Sequence, residues 1–309
     1  MIKNKVVYKK TIPVHIIVFL SPAIIIYTLF MIYPIFDSLL LSFFKFDVNN
    51  SPTFVGFQNY ATLIMDSRWQ DQFLNALRNS SVFFVINMLI QNPIALLLAA
   101  LLASKIKGGA IYRTLLYTPT TLSLVIVAFV WQLLLNPMWG ITKNILSAIG
   151  LGTYFKPWLG LENTALIALA LISSWQYIGV PVLLYYASLI GIPKDLLDAS
   201  RVDGASDFKI FWKIKFPLIM PIVGIVSLMT YVFNFNAFDI IYALKGPLAG
   251  PNFSTDTMMT FFFRTYFGHE FQQSNPIMGT TIAGTMFLLL MIGVLVYFFW
   301  QRRIENYEL

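Results

Sequence analysis

The chain has 309 residues, of which 58% are hydrophobic and only 11% charged, with a formal net charge of +7 and no cysteine. Soluble domains carry about a quarter charged residues, so this much apolar side chain needs lipid as its solvent. Lys and Arg lie between apolar runs rather than in a patch, which excludes nucleic acid as a partner. The lack of Cys excludes disulfide frames, thiolate metal sites and cysteine nucleophiles.

Taken in chain order, a basic cytoplasmic N-terminus spans residues 1–14, with Lys3, Lys5, Lys9 and Lys10. It leads into an apolar run at 15–36. That run is too long for a signal peptide and lacks a small-residue cleavage site, so it reads as a retained anchor within a first helical unit at 15–46. An outer loop at 47–79 follows, and further apolar runs occupy 80–103, 114–135, 164–187, 217–243 and 278–300. Each is long enough to cross about 30 Å of hydrocarbon as a helix. Backbone groups in lipid must be satisfied within their own segment, so the expected fold is all-α. It is a polytopic membrane bundle of six transmembrane helices, with a core at 80–300, a cytoplasmic loop at 188–216 and a tail at 301–309. Pro22, Pro34, Pro93, Pro119 and Pro181 lie inside the runs and predict kinks or unwound turns.

Charge sets the orientation. With the N-terminus inside, the inner segments hold Lys3, Lys5, Lys9, Lys10, Lys105, Lys107, Arg113, Lys194, Arg201, Lys209, Lys213, Lys215, Arg302 and Arg303. The outer segments hold Lys45, Arg68, Arg78, Lys143, Lys156, Lys245 and Arg264, a twofold bias toward the cytoplasm. Both termini are then cytoplasmic.

The loop at 188–216 is polar and basic in an otherwise apolar chain. Pro193 suits a helix start, Asp195 and Asp198 complement its positive end, and Gly204 ends it. Phe208, Phe211, Trp212 and Phe216 then recur at helical spacing between Lys209, Lys213 and Lys215. On physical grounds the loop is either a docking surface for a partner or an amphipathic connector lying on the membrane.

At this loop the chain resembles the permease subunits of bacterial ABC importers, in particular carbohydrate importers related to the maltose permease. The family signature, Glu-Ala-Ala, three residues, Gly, nine residues, then Ile-x-Leu-Pro, stands here as Asp198-Ala199-Ser200, Gly204, Ile214, Phe216 and Pro217. Val202-Asp203-Gly204-Ala205, Phe54-Val55-Gly56-Phe57-Gln58-Asn59-Tyr60, Gly246-Pro247 and Ser254-Thr255 add to the likeness, which runs from about residue 15 to the C-terminus. Asp198, Ser200 and Phe216 depart conservatively from the pattern, and the shorter Asp198 puts in doubt a long-reach ion pair to a partner.

The resemblance implies a type I importer permease fold with a coupling helix between the fourth and fifth spans. That helix would insert into a separate ATP-hydrolysing subunit through Asp198, Ala199, Ser200, Asp203, Gly204 and Ala205. It also implies a homologous second permease chain, two ATPase subunits that use ATP and Mg, and an external solute-binding protein. No Gly-x-x-x-x-Gly-Lys-Ser/Thr loop occurs here. The expectation is therefore no cofactor, no metal and no catalytic residue in this chain.

A sugar site needs aromatic faces and hydrogen-bonding amides or hydroxyls. The fifth run supplies them in Tyr231, Phe233, Asn234, Phe235, Asn236 and Phe238, with Asp239 the one acid deep in a run. Amides there face protein or water, either as cargo contacts or as glue between helices. By resemblance, Phe233 would stack on a sugar and Asn234 would bond a hydroxyl. Ala237 stands where the maltose protein has an Asn, and Trp175, Ile178, Gly179 and Val182 match lining positions of the fourth span. Trp175 equally suits an interfacial belt. An ion-coupled secondary carrier is the rival reading, disfavoured because such carriers place coupling carboxylates or broken helices at the midplane.

Overall fold

The computed structural model describes residues 14–47, 51–104, 106–269 and 272–305. The basic cluster Lys3, Lys5, Lys9 and Lys10, with Lys105, lies outside the described residues. Among the described residues, four helices are long and apolar enough to cross a membrane: Ile16–Leu41, Ser67–Ala103, Met220–Lys245 and Pro276–Arg303. Two bent pairs, Gly109–Thr121 with Leu124–Leu134 (96°) and Glu162–Tyr177 with Gly179–Ile190 (46°), give six spans when each pair is counted as one. The chain is an all-α membrane bundle.

Several elements depart from plain apolar runs, each for a local reason. The second helix starts at Ser67, well before the apolar run at 80, because Asp66 caps it: the Arg68 backbone N–H donates to Asp66 Oδ1 at 3.0 Å. Its first turns therefore rise above the hydrocarbon as a polar extension. Prolines rarely break the spans outright. Instead, π-helical turns at Thr28–Ile32, Asn87–Gln91 and Phe211–Lys215 directly precede Pro34, Pro93 and Pro217. A proline removes one donor and crowds the carbonyl four residues back, and widening the turn relieves both.

The third span behaves differently. Pro119 stands in the last turn of Gly109–Thr121, and the chain turns sharply at Leu122 and Ser123 before Leu124–Leu134. The fourth bends at Ile178, between Tyr177 and Gly179. A Cβ on Gly179 would stand 2.7 Å from both the Leu116 carbonyl oxygen and Tyr117 Cα, so only glycine lets the third and fourth spans meet there.

Three apolar clusters hold the bundle. Ala95 and Ala99 of the second span bring Val182, Tyr185 and Ile219 close, the small residues allowing near contact of backbones. Phe83, Leu166, Leu169, Ile172 and Ile241 form a second cluster, and Leu63, Phe73, Met258, Phe261 and Ile282 a third. By contrast, the first span's most apolar window buries none of its residues, and Phe19 is 81% exposed. Between the first and second spans, Phe44–Phe46 pairs antiparallel with Pro52–Phe54. Asn59 fastens this ribbon by donating to the Ser42 and Phe44 carbonyls at 2.7 and 2.8 Å.

Candidate cargo cavity and coupling segment

The fifth span is continuous only to Phe235. Asn236, Ala237 and Phe238 leave the helix, and Asp239–Lys245 resumes it. A cavity of about 520 Å³ opens against this interruption. The second span contributes Phe83, Asn87 and Gln91, the third Thr120 and Leu124, and the fourth Ser173, Tyr177 and Pro181. The fifth adds Thr230, Phe233, Asn234 and the whole interruption from Asn236 to Asp239.

The wall combines aromatic faces with neutral amides and hydroxyls. Phe233 is 68% exposed and free to cover a flat apolar face. Several polar groups are already engaged by protein. Ser174 Oγ donates to Asn87 Oδ1 at 2.8 Å, Asn87 Nδ2 to the Phe83 carbonyl at 2.9 Å, and Asn92 Nδ2 to Thr230 Oγ1 at 3.0 Å. Asn234 Nδ2 donates to the Thr230 carbonyl at 2.5 Å, and Thr120 Oγ1 to that of Gln176 at 2.8 Å. These bonds fix the orientation of the wall. Asp239 is the charged side chain on it.

Of the residues singled out in the sequence, Phe233, Asn234 and Ala237 come together on this wall. Tyr231 turns away: its hydroxyl donates to the Leu289 carbonyl at 2.6 Å and its ring lies against Gly293, where a Cβ has no room. Val182 is fully buried among Ala95, Ala99 and Tyr185, and Ile178 packs on the same cluster. Gly179 serves the helix crossing. Trp175 is 42% exposed and sits edge-on to Trp131, with ring centroids 5.5 Å apart. Lys245 Nζ donates to the Leu159 carbonyl rather than to Asp239. Asn87, Gln91, Thr120, Ser173 and Thr230 were not singled out. Asn87 and Gln91 carried the same signal as Asn234, an amide inside an apolar run, and that signal alone does not separate cavity wall from interhelical glue.

At the other end, Lys194–Val202 forms a short helix after Pro193. Its C-terminus closes as a Schellman motif: the Gly204 N–H donates to the Arg201 carbonyl and the Ala205 N–H to that of Ser200, both at 3.0 Å. Gly204 has φ +77°, a conformation that favours glycine. Ser200 is buried, while Asp198, Ala199, Asp203 and Gly204 are exposed and Ala205 is half-buried. Asp198 pairs with Arg201 at 2.9 Å. Val202 is 89% and Phe208 75% exposed, so apolar side chains stand beside the acidic ones. A cleft of about 1020 Å³ lies between this helix and the ends of the second and third spans, edged by Arg113, Lys194, Asp198, Arg201, Asp207 and Lys215.

Residues 91–306 match the family described as binding-protein-dependent transport system inner membrane component. The chain belongs to this family. It is accordingly a multi-pass inner-membrane permease subunit, whose ATPase is a separate chain. A probable ABC transporter permease protein, YurN of Bacillus subtilis, is 32% identical over 81% of this permease and 84% of its own length. A probable starch degradation products transport system permease, AmyD of Thermoanaerobacterium thermosulfurigenes, is 29% identical over 92% and 93% of the two chains. A solved chain of the bacterial alginate ABC transporter, in complex with an alginate pentasaccharide-bound periplasmic protein, superposes with a TM-score of 0.77. It covers 94% of each chain at 22% identity, which supports the type I permease fold.

Proposed function

We propose that this permease forms one membrane half of an ATP-driven importer of carbohydrates, receiving an oligosaccharide or related sugar from an external binding protein and passing it inward by alternating access. The observation that carries the reading is the cavity at the interruption of the fifth span. Its aromatic face, neutral amides and hydroxyls suit the C–H surface and hydroxyls of a sugar ring. Phe233 stacks on the guest, Asn234 bonds a hydroxyl, and Ala237 leaves space beside them.

A homologous second permease chain completes the pathway. The bare first span supports this, since a helix exposed along its whole apolar length accepts either lipid or a second bundle. Two ATPase subunits, using ATP and Mg, dock on Lys194–Val202 through Asp198, Ala199, Ser200, Asp203, Gly204 and Ala205. The helix is tied at both ends to spans, so closure of the ATPases turns the fourth against the fifth. Both termini are cytoplasmic, as the basic side chains edging the coupling cleft support.

The test is reconstitution of the complete transporter in proteoliposomes with loaded binding protein. Uptake of labelled oligosaccharide that requires ATP and ends when the ATPases are left out is the expected result. Uptake by this permease on a proton or sodium gradient, with no nucleotide, would overturn it.

A further inference from the structure

The outer loop between the fifth and sixth spans carries Ser254-Thr255, which neither the cargo cavity nor the coupling segment uses. Around it the described residues hold a buried polar hub. Asp256 and Arg264 are each 1% exposed, and Arg264 Nη2 donates to Asp256 Oδ2 at 2.8 Å. Thr260 Oγ1 donates to Asp256 Oδ1 at 2.7 Å, and Arg264 reaches Gln272 and Gln72 at 3.2 and 3.3 Å. The guanidinium lies over the Phe253 ring at 4.6 Å. Burial pushes the Asp256 carboxyl above its ordinary value, and Arg264 and Thr260 draw it back in part.

The hub fixes a backbone that would not hold this course unaided. Ala249, Asn252 and Phe253 have φ of 44°, 48° and 54°, a region that residues with a Cβ occupy at a cost. The second span ties the loop down: Asn75 Nδ2 donates to the Phe253 carbonyl and Asn79 Nδ2 to that of Asp256, both at 2.9 Å. The Met258 N–H donates to Ser80 Oγ at 3.0 Å.

One bond leaves the hub toward the cavity. Thr257, fully buried beside Asp256, donates through Oγ1 to the Ala237 carbonyl at 2.7 Å. The interruption releases that carbonyl from the helical ladder, and an unpaired carbonyl there would be costly. Its neighbours Asn234, Asn236, Phe238 and Asp239 all line the cavity.

We infer that Thr257 is a positioning residue for transport: held in a capping box with Thr260, which itself bonds Asp256, its hydroxyl sets the course of residues 236–238, and through it the outer loop shapes the cargo cavity. This rests on the carbohydrate-importer reading above. Events at the outer face, where a binding protein delivers cargo, thereby reach the cavity wall through this hydrogen bond, beside the packing of Phe238 on Phe263, whose ring centroids are 4.8 Å apart.

The experiment compares Thr257→Val and Thr257→Ser in the complete reconstituted transporter, reading sugar taken up per ATP hydrolysed and the concentration of loaded binding protein at half-maximal uptake. Val keeps the shape and loses the hydroxyl, both as donor to Ala237 and as the cap that accepts from the Thr260 N–H, whereas Ser keeps both. Thr257→Val should lower uptake per ATP about tenfold, the scale of one lost hydrogen bond, and shift the half-maximal concentration. Thr257→Ser should stay within about twofold of the parent, and ATPase assembly should be unchanged in both. A purely structural role would instead lower yield and uptake together without altering uptake per ATP. If Thr257→Val does not insert, Asn75→Ala loosens the same loop at Phe253 and should move the same ratio in the same direction. Unchanged uptake per ATP in a well-inserted Thr257→Val, or in Asn75→Ala when it stands in, overturns the inference while leaving the importer reading intact. A parent transporter with no ATP-dependent sugar uptake removes both.

Discussion

Two Asp–Arg pairs hold opposite ends of this permease, and their geometry is nearly the same. Asp256 meets Arg264 at 2.8 Å on the outer side, and Asp198 meets Arg201 at 2.9 Å on the coupling helix. Their surroundings are not. The outer side chains are 1% exposed each, whereas those of Arg201 and Asp198 are 54% and 66% exposed. In water an ion pair is screened and gains little, while a buried one is held because neither charge tolerates losing its partner. The outer pair therefore belongs to a fixed scaffold. The inner pair lies on an exposed surface, the one proposed above to receive the ATPase.

The largest expected effect follows from the scaffold. Arg264→Leu leaves the Asp256 carboxylate buried without its partner, at a cost of about 3–5 kcal/mol. The loop from Gly246 to Thr257 should loosen, with a clear loss of thermal stability in detergent. Replacing both residues, Asp256→Leu with Arg264→Met, should recover most of that loss, because an apolar pair of similar volume replaces a buried ionic one at little cost. A double variant as unstable as the single one would show that the remaining bonds from Gln72, Gln272 and Thr260, and not the charge, hold the loop.

Gly204 comes next. A Cβ there meets nothing within 4 Å, so Gly204→Ala tests backbone conformation alone, at about 1–2 kcal/mol for a left-handed residue. That strain falls on the end of the coupling helix and leaves the spans untouched. Membrane insertion should be normal, while sugar uptake falls and ATP hydrolysis continues without it. Equal losses of insertion and uptake would show that Gly204 matters for folding and not for coupling.

How far the chain could be read in advance follows from the same contrast between lipid and water. The spans were legible because an apolar run of about 20 residues has few alternatives to crossing a bilayer. The short helix at Lys194–Val202 was legible from Pro193, Gly204 and its charge, whereas its coupling role came from the family resemblance. The polar start of the second helix at Ser67 was not, since its turns above the membrane follow no hydropathy rule. Pro119 signalled a disturbance in the third span but not a 96° turn. In the cavity, Phe233 and Asn234 stood out in the sequence, whereas Asn87 and Gln91 did not, since an amide inside an apolar run does not by itself separate cavity wall from helix glue. The Asp256–Arg264 hub was hidden because an acid and a base in an outer loop read as solvated. The signal lay in the neighbours: Arg264 is a lone cation among Phe261, Phe262, Phe263, Tyr266 and Phe267.

Asn234→Leu addresses the cavity with a smaller effect. Its Nδ2 bonds within its own helix, to Thr230, so the helix loses no cross-link. Stability should change little, and the loss should fall on cargo, with the half-saturating sugar load rising about five- to tenfold at similar maximal rate. A lower maximal rate with unchanged half-saturation would move Asn234 from guest recognition to the inward step.

The smallest expected effect on the folded chain is that of Asp198→Asn. Its pair with Arg201 is exposed, and Arg201 also lies 3.9 Å from Asp207, so a second carboxylate remains nearby. An exposed pair of this kind contributes about 0–1 kcal/mol, and less as salt rises. The isolated permease should keep its thermal midpoint. In the assembled transporter the same substitution removes a charge from the proposed docking face, beside the exposed apolar side chain of Val202. Rim charges act mainly on association, so Asp198→Asn should weaken recovery of the ATPase subunits most strongly at low salt and converge with the parent at high salt. A loss that is the same at every ionic strength would assign Asp198 to a desolvated contact inside the ATPase cleft, and the two Asp–Arg pairs would then differ only until the partner arrives.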